Sequence, residues 1–230
     1  MTAAQVKSAI RKAEGSGSHY PDGKLVCVEN TSNLGGGACY TQDVLDEIAA
    51  VAKENGCATH IDGARIFNAS ITTGVDVARM CRDYDSVSIC LSKGLGAPVG
   101  SVLVGSQEFI NKAHRWRKMF GGGWRQAGVL AAAGLYALDN HIERLSEDHT
   151  RALRVATAIN AMDNFSVDMK AVQSNLVYVN CNIPAADVVK SLAEYGIDMF
   201  DLPYNRVRVA IHLHITDEDV ERIIAAFAAQ

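Results

Sequence analysis

The sequence contains little that would suit a membrane, a nucleic acid or an oxidising compartment. No apolar run is long enough to span a bilayer, and residues 1–14 lack the apolar core of a signal peptide. A net charge of -4 and a pI near 6.0 offer no electrostatic attraction for nucleic acid or an anionic membrane surface. The six cysteines include no C-x-x-C pair, which favours free thiols over disulfides or a zinc site. We therefore expect a cytoplasmic protein that binds neither nucleic acid nor a membrane.

Three familiar catalytic or nucleotide-binding signatures are also missing. The glycine-rich stretch after residue 91 is not a Walker loop, because G-x-x-x-x-G-K-[ST] is absent. It is not the dinucleotide motif G-x-G-x-x-G either, because its third glycine falls one residue late. The nucleophile elbow G-x-S-x-G does not occur. The chain therefore carries none of these three local signatures.

Strand and helix signals alternate over the first part of the chain. Near-continuous apolar runs separated by helical segments predict a mainly parallel sheet covered on both faces, an α/β architecture. Predicted strands cover 24–29, 57–61, 86–91 and 101–104, and predicted helices cover 4–12, 41–55, 75–81, 107–119 and about 125–146.

The pattern changes to α+β after that. A helix to about 160, a strand over 176–181, a helix over 184–195, a strand over 206–212 and a capped helix from Thr216 are predicted. We expect a large α/β domain over 1–145 and a small C-terminal α+β domain over 146–230.

Asp62 and Lys93 are the residues on which a chemical interpretation depends. Each follows a short apolar run, 57–61 and 86–91, and so stands at the C-terminal end of a candidate buried strand. In pyridoxal-phosphate sites a lysine carries the cofactor as a Schiff base and an acid keeps the pyridinium nitrogen protonated. Ser92 adds a hydroxyl, and the glycines that follow allow close approach of a ligand to the backbone. The residues alone leave a second interpretation open, in which Lys93 is a solvated surface charge beside a glycine-rich turn.

Several longer motifs, in one order along the chain, resemble the low-specificity L-threonine aldolases. That family consists of pyridoxal-phosphate-dependent enzymes with the aspartate-aminotransferase fold (fold type I), so the resemblance implies this fold and this cofactor. The motifs that carry it are Val28–Thr31, His60–Ala69, Cys90–Ser101, Arg115–Gly128 and Arg208–His212.

The resemblance implies roles around the cofactor for five residues. Lys93 would form the Schiff base, Asp62 would pair with the ring nitrogen, and Arg65 would lie near the phenolic oxygen. Lys118 and Arg125 would supply positive charge on the phosphate side. Taken alone, the last two would also suit ordinary surface charges beside a helix end.

The substrate side is implied in the same way. Ser92 belongs with the cofactor-binding residues, and Arg208 would bind the substrate carboxylate through a two-pronged guanidinium contact. His19 matches a histidine that the family places near the substrate hydroxyl, which makes it the expected base. Ser32 stands where most members have a histidine, so the proton-transfer network departs from the family pattern.

The expected function is cleavage of L-threonine or L-allo-threonine to glycine and acetaldehyde. By the resemblance, the chain corresponds to the C-terminal two thirds of a family member and lacks roughly the first third of the family's chain, which belongs to the large domain; no Gly-Thr pair of the phosphate-binding turn occurs. Two alternatives follow: an inactive fragment or partner-dependent subunit of such an enzyme, and another fold type I lyase. The family's tetramers imply a homo-oligomer. No metal is expected, because His212 and His214 have no further ligands.

Overall fold

A computed structural model describes residues 1–14 and 19–230 and contains two four-stranded sheets. The first sheet has the order β1-β2-β3-β4, in which β1, β2 and β3 run parallel and β4 is antiparallel to β3. Its strands are β1 Leu25–Glu29, β2 Ala58–Asp62, β3 Ser86–Cys90 and β4 Ser101–Gly105. The predicted α/β architecture of this part is confirmed.

Six helices accompany the first sheet. They are α1 Ala3–Ala9, α2 Gln42–Glu54, α3 Ile66–Thr73, α4 Val77–Cys81, α5 Gln107–Met119 and α6 Gly128–Asn140. Helix α2 shows why the packing is stable: Leu45 and Ile48 recur on one face and are completely buried against the sheet. Burial of each such side chain contributes roughly 1.5–3 kcal/mol.

The expectation of helices on both faces of the sheet is wrong for this chain. Along β1, Val26 and Val28 are buried, whereas Leu25 on the opposite face is 57% exposed. Every residue of β4 is exposed, including Val102 and Leu103. Cover therefore differs from strand to strand: β1 is buried on one face only, β3 is buried at the successive residues Ser86 and Val87, and β4 is exposed on both faces.

The second sheet is antiparallel, in the order β5-β6-β8-β7, and packs against three helices. Its apolar core includes an edge-to-face pair of Phe165 and Phe227, whose ring centroids are 5.1 Å apart. The elements are α7 Leu145–Asn160, β5 Phe165–Val167, β6 Leu176–Cys181, α8 Ala185–Glu194, β7 Asp201–Leu202, β8 Arg206–Ala210 and α9 Asp217–Ala228. The α+β pattern expected here is present, and the division into domains at 145/146 stays a prediction.

The single helix expected over 125–146 is interrupted. Helix α6 ends at Asn140, and α7 begins at Leu145. Between them, Nδ1 of His141 lies 2.6 Å from the main-chain oxygen of Leu95, in the turn that carries Lys93. A tertiary hydrogen bond therefore holds the break, which local sequence propensity does not reveal.

His149 joins α7 to α3 and makes the stability of the fold dependent on pH. Its Nε2 accepts a hydrogen bond from the Asn68 amide at 3.0 Å, and its Nδ1 faces the Thr72 hydroxyl at 3.3 Å. The Thr72 hydroxyl donates its own proton to the main-chain oxygen of Gln173 at 2.6 Å, so Nδ1 is the donor and the imidazole is neutral. Burial lowers the pKa of His149 below its ordinary value, partly opposed by the charge of Asp148.

The stability that His149 contributes should accordingly disappear in acid. Because the pKa is lower in the folded than in the unfolded chain, the contribution is complete above the unfolded value, about 6.5, and falls as the pH drops below it. We expect the thermal midpoint to decline from pH 7.5 to 5.5 more steeply in the unchanged chain than in His149→Gln. The exposed His114 on α5 provides the control, and an equal flattening by His114→Gln would contradict this assignment.

No helix in the described part of the chain is both long and apolar enough to cross a membrane.

Candidate active site

Asp62 and Lys93 lie at the carboxyl edge of the first sheet. Asp62 is the last residue of β2, and Lys93 lies in the turn that follows β3. The main-chain N–H of Gly63 donates to the oxygen of Ser88 at 2.8 Å and ties the two strand ends together. In open α/β sheets, ligands bind outside the carboxyl ends of the strands. The two residues singled out in the sequence therefore lie at the edge where a ligand site is expected.

The turn around Lys93 depends on two glycines. The N–H of Gly96 donates to the main-chain oxygen of Lys93 at 2.9 Å, and Gly96 has a left-handed φ of +73°. A Cβ at Gly94 would lie 2.9 Å from a methyl group of Leu145, and one at Gly96 would lie 2.9 Å from a methyl group of Leu213. The turn thus packs tightly onto the second half of the chain while Lys93 itself stays exposed.

A cleft of about 440 Å³ opens beside this turn, within the size range of small-molecule sites. One wall comes from the segments that follow β2 and β3, and the other from Asn175 and residues 210–214 at the end of β8. Its polar or charged side chains are those of Arg65, Ser92, Lys93, Asn175, His212 and His214. The cleft therefore unites the predicted cofactor residues Arg65, Ser92 and Lys93 with two imidazoles from the far end of the chain.

Two guanidinium groups give this region its charge. Burial lowers the pKa of Arg65, and the positive charge of Arg208 lowers it further, whereas the negative charge of Glu29 acts in the opposite direction. Within residues 1–14 and 19–230, neither guanidinium has an aspartate or glutamate oxygen within 4.0 Å. Unpaired, neighbouring cations of this kind favour a bound anion.

Backbone interactions around Thr31 fix the position of Arg65. Thr31 is buried and adopts an unusual left-handed φ of 58°. Its hydroxyl lies 2.6 Å from the main-chain oxygen of Asn30 and 3.1 Å from that of Arg65, so one proton serves both acceptors, and its N–H donates to the Asn30 side chain at 3.0 Å. Strained backbone of this type is concentrated at functional sites, where the surrounding structure holds it.

The donor set fits pyridoxal phosphate. Asp62 is exposed, and its Oδ1 accepts a hydrogen bond from the N–H of Ala64 at 3.0 Å. Its other carboxylate oxygen is therefore available to a pyridinium N–H. In the cleft wall, the buried Oδ1 of Asn175 has no hydrogen-bond partner among the described residues, and its Nδ2 donates to the oxygen of Ile211 at 2.7 Å. A buried acceptor without a donor at a cleft wall is consistent with a polar ligand there.

Lys118 and Arg125 lie outside this cleft. Both are exposed, and Lys118 belongs to a separate basic depression of about 500 Å³ at the end of α5, with Arg115, Arg117 and Trp124 in its walls. Within one chain, the structure does not bring either residue to Lys93. Their implied phosphate-side role stays a prediction.

His19 does not line this cleft. It is exposed and adjoins Tyr20, whose ring lies under the guanidinium of Arg11 with 4.7 Å to the centroid. Residues 20–24 lead into the amino end of β1, whereas the site lies at its carboxyl end, roughly 13 Å away for a five-residue strand. The implied role of His19 as the base stays a prediction.

Asn33, Asn175 and Tyr178 contribute to the site without having been singled out in the sequence. The Asn33 side chain accepts hydrogen bonds from Arg208 at 2.7 Å and from the Tyr178 hydroxyl at 3.1 Å. The sequence feature that could have pointed to Asn33 is the Gly- and Asn-rich loop after β1, because binding residues are often found on such loops.

Comparisons with known proteins identify the family. The model of the beta-eliminating lyase family matches residues 1–182. The chain is 43% identical over 226 residues to a probable low-specificity L-threonine aldolase 2 of Arabidopsis thaliana, a match that covers 96% of this chain and 63% of that protein. It is 39% identical over 214 residues to the low specificity L-threonine aldolase of Escherichia coli K12, covering 92% and 61%. The predicted resemblance is confirmed, and the chain spans less than two thirds of either relative.

Among solved structures, the threonine aldolase of Leishmania major superposes with a TM-score of 0.80 at 21% identity, covering 100% of this chain and 67% of that one. At this identity the similarity establishes the fold, which is that of the fold type I pyridoxal-phosphate-dependent enzymes, as predicted. The family model spans well over half of the sequence. This chain belongs to the beta-eliminating lyase family.

Proposed function

We propose that this chain carries the lysine and the carboxylate-binding arginine of a pyridoxal-phosphate-dependent carbon–carbon lyase. Its substrates are L-threonine and L-allo-threonine, and its products are glycine and acetaldehyde. One observation carries the proposal: Lys93 shares a cleft with Arg65, beside Arg208, while Asp62 ends the neighbouring strand. This reaction needs an amine that binds the cofactor covalently, an acid that protonates the ring nitrogen and a cation that binds the substrate carboxylate.

When bound, pyridoxal phosphate supplies an electron-withdrawing ring that stabilises negative charge at the substrate Cα. Lys93 provides the primary amine to which the cofactor aldehyde attaches. Asp62 holds a proton on the ring nitrogen through its free carboxylate oxygen. Arg65 and Ser92 hold the cofactor at the cleft wall.

The remaining residues act on the substrate. Arg208 binds the carboxylate and so fixes which bond at Cα is broken. Cleavage between Cα and Cβ requires removal of the proton on the β-hydroxyl. The base is an imidazole, either His19, as the resemblance implies, or His212 or His214 of the cleft.

The function is tested with the purified chain, pyridoxal phosphate and L-threonine. The expected result is equimolar release of acetaldehyde and glycine. Formation of a keto acid would instead indicate an aminotransferase, and release of ammonia with a keto acid would indicate a β-eliminating reaction. Either result would contradict the aldolase assignment.

A second candidate is a subunit that binds the cofactor and becomes active only with a partner chain. The exposed apolar strand β4 and the distance of Lys118 and Arg125 from the cleft favour it. In that case the chain shows cofactor absorbance without aldehyde release, and activity returns when the partner is added. An inert chain would differ from this outcome, because it would show neither cofactor absorbance nor activity after the partner is added.

We further propose that the protein is a cytoplasmic homo-oligomer. Exposed apolar side chains lie close together in sequence on β4, on α5 and just beyond it, including Leu103, Trp116, Phe120 and Trp124. Contiguous apolar surface of this kind is typical of subunit contacts. Sedimentation of the purified chain would give a mass above that of the monomer.

A further inference from the structure

Asn33 links the loop after β1 to the second sheet through a single oxygen atom. Its Oδ1 accepts a hydrogen bond from Nη1 of Arg208 at 2.7 Å and another from the hydroxyl of Tyr178 at 3.1 Å. Tyr178 and Arg208 are directly paired across β6 and β8, so both donors approach from one side. Because a guanidinium only donates, the oxygen and not the nitrogen of the amide must face Arg208.

The backbone of Asn33 is held as well. Its N–H donates to Oε1 of Glu29 at 3.2 Å, and Glu29 is the last residue of β1. Asn33 is therefore fixed to the first sheet through its main-chain N–H and to Arg208 through its side-chain oxygen. A free arginine side chain has many rotamers and loses that freedom when it binds a ligand. Because the contact with Asn33 already restricts the rotamers of Arg208, less conformational entropy is lost on binding.

The chemical character of this contact matters for the charge of the cleft. An amide oxygen is neutral, so it orients Arg208 without cancelling the positive charge. A carboxylate at the same place would make a similar contact and would neutralise the guanidinium. The described part of the chain places no aspartate or glutamate within 4.0 Å of Arg208, which leaves most of its donors available to an anion.

We propose that Asn33 is a positioning residue that holds Arg208 for the substrate carboxylate, and that an uncharged side chain at this position is required for carboxylate affinity. The inference rests on the role of Arg208 in the proposed function and adds a residue that acts through it.

The decisive variant is Asn33→Asp, which has nearly the same shape and can still accept from both Arg208 and Tyr178. A purely structural role predicts no loss in this variant. The positioning role predicts weaker carboxylate binding, because the new charge competes with the ligand for Arg208. Asn180→Asp makes the same change at an exposed position on β6 and is the matched control.

Glycine serves as the probe, titrated into the chain without cofactor: its dissociation constant is measured by isothermal titration calorimetry in every variant, and the Nε–Hε resonance of Arg208 is followed by NMR wherever that arginine is present. We expect the dissociation constant for glycine to rise at least about tenfold, equivalent to 1.4 kcal/mol, in Asn33→Asp. Asn33→Ala should broaden or shift that resonance before any ligand is added, because the arginine is no longer held. The thermal midpoint of Asn33→Asp should equal that of the unchanged chain.

Two results would overturn the inference. Unchanged glycine affinity in Asn33→Asp, together with loss of binding in Arg208→Ala, would reject the positioning role of Asn33 and leave the proposed function intact. Unaltered binding in both variants, or no saturable shift in the unchanged chain, would remove the assigned role of Arg208 as well. An equal loss in Asn180→Asp would show a general charge effect and would also contradict the proposal.

Discussion

Replacing Lys93 by alanine is expected to abolish threonine cleavage and the visible absorbance band of bound pyridoxal phosphate. Lys93 lies in a turn fixed by Gly96, and among residues 1–14 and 19–230 no second lysine lines this cleft. Removal of a group that forms a covalent bond with the reacting species lowers turnover by at least about 10³-fold. Steady-state kinetics and an absorbance spectrum of the variant with added cofactor provide the measurement.

Lys7→Ala on helix α1 is the control for this variant, since it removes an exposed lysine far from the carboxyl edge of the first sheet. It should retain both the band and the activity. Substantial turnover in Lys93→Ala, or a band of unchanged intensity, would show that another lysine carries the cofactor.

Replacing Arg208 by alanine is expected to raise the Michaelis constant for threonine about 100-fold, with a smaller effect on kcat. A bidentate guanidinium makes two hydrogen bonds to a carboxylate, and each hydrogen bond to a charged group is worth about 1.5–3 kcal/mol. Arg65 remains nearby and would retain part of the attraction. Arg208→Lys should recover only part of the loss, because an ammonium does not reproduce the planar fork.

Arg206 offers a matched control for that prediction. It lies one strand repeat away on β8, donates to the main-chain oxygen of Pro203 at 3.2 Å, and contacts the ring of Tyr178. Arg206→Ala removes the same charge from the same strand and should change the Michaelis constant only slightly. Equal effects of Arg206→Ala and Arg208→Ala would mean that the general charge of this strand, rather than a specific carboxylate contact, attracts the substrate.

The central part of the site could be predicted because it depends on local sequence. Apolar runs ended by Asp62 and followed by Lys93 placed both residues at strand ends, and parallel strands bring such ends to one edge. Burial was harder to predict, since apolar residues on both faces of a strand do not reveal whether a second layer covers them. The exposed strand β4 is the clearest example.

Contacts between distant parts of the chain were not predictable. Asn33 and Arg208 meet only because the loop after β1 reaches the second sheet, and no periodicity signals that approach. The break after α6 has the same cause, since His141 is held by the main-chain oxygen of Leu95. The role of His19 depends on contacts of the same kind and stays a prediction.

The most direct test of the assigned site is to identify the residue that pyridoxal phosphate modifies. The chain is incubated with the cofactor and reduced with borohydride, which makes a lysine attachment permanent, and the labelled peptide is identified by mass spectrometry. The account predicts a single phosphopyridoxyl group on Lys93, its loss in Lys93→Ala, and weaker labelling in Asp62→Ala. Labelling of a different lysine, or scattered labelling of surface lysines at equal yield, would contradict it.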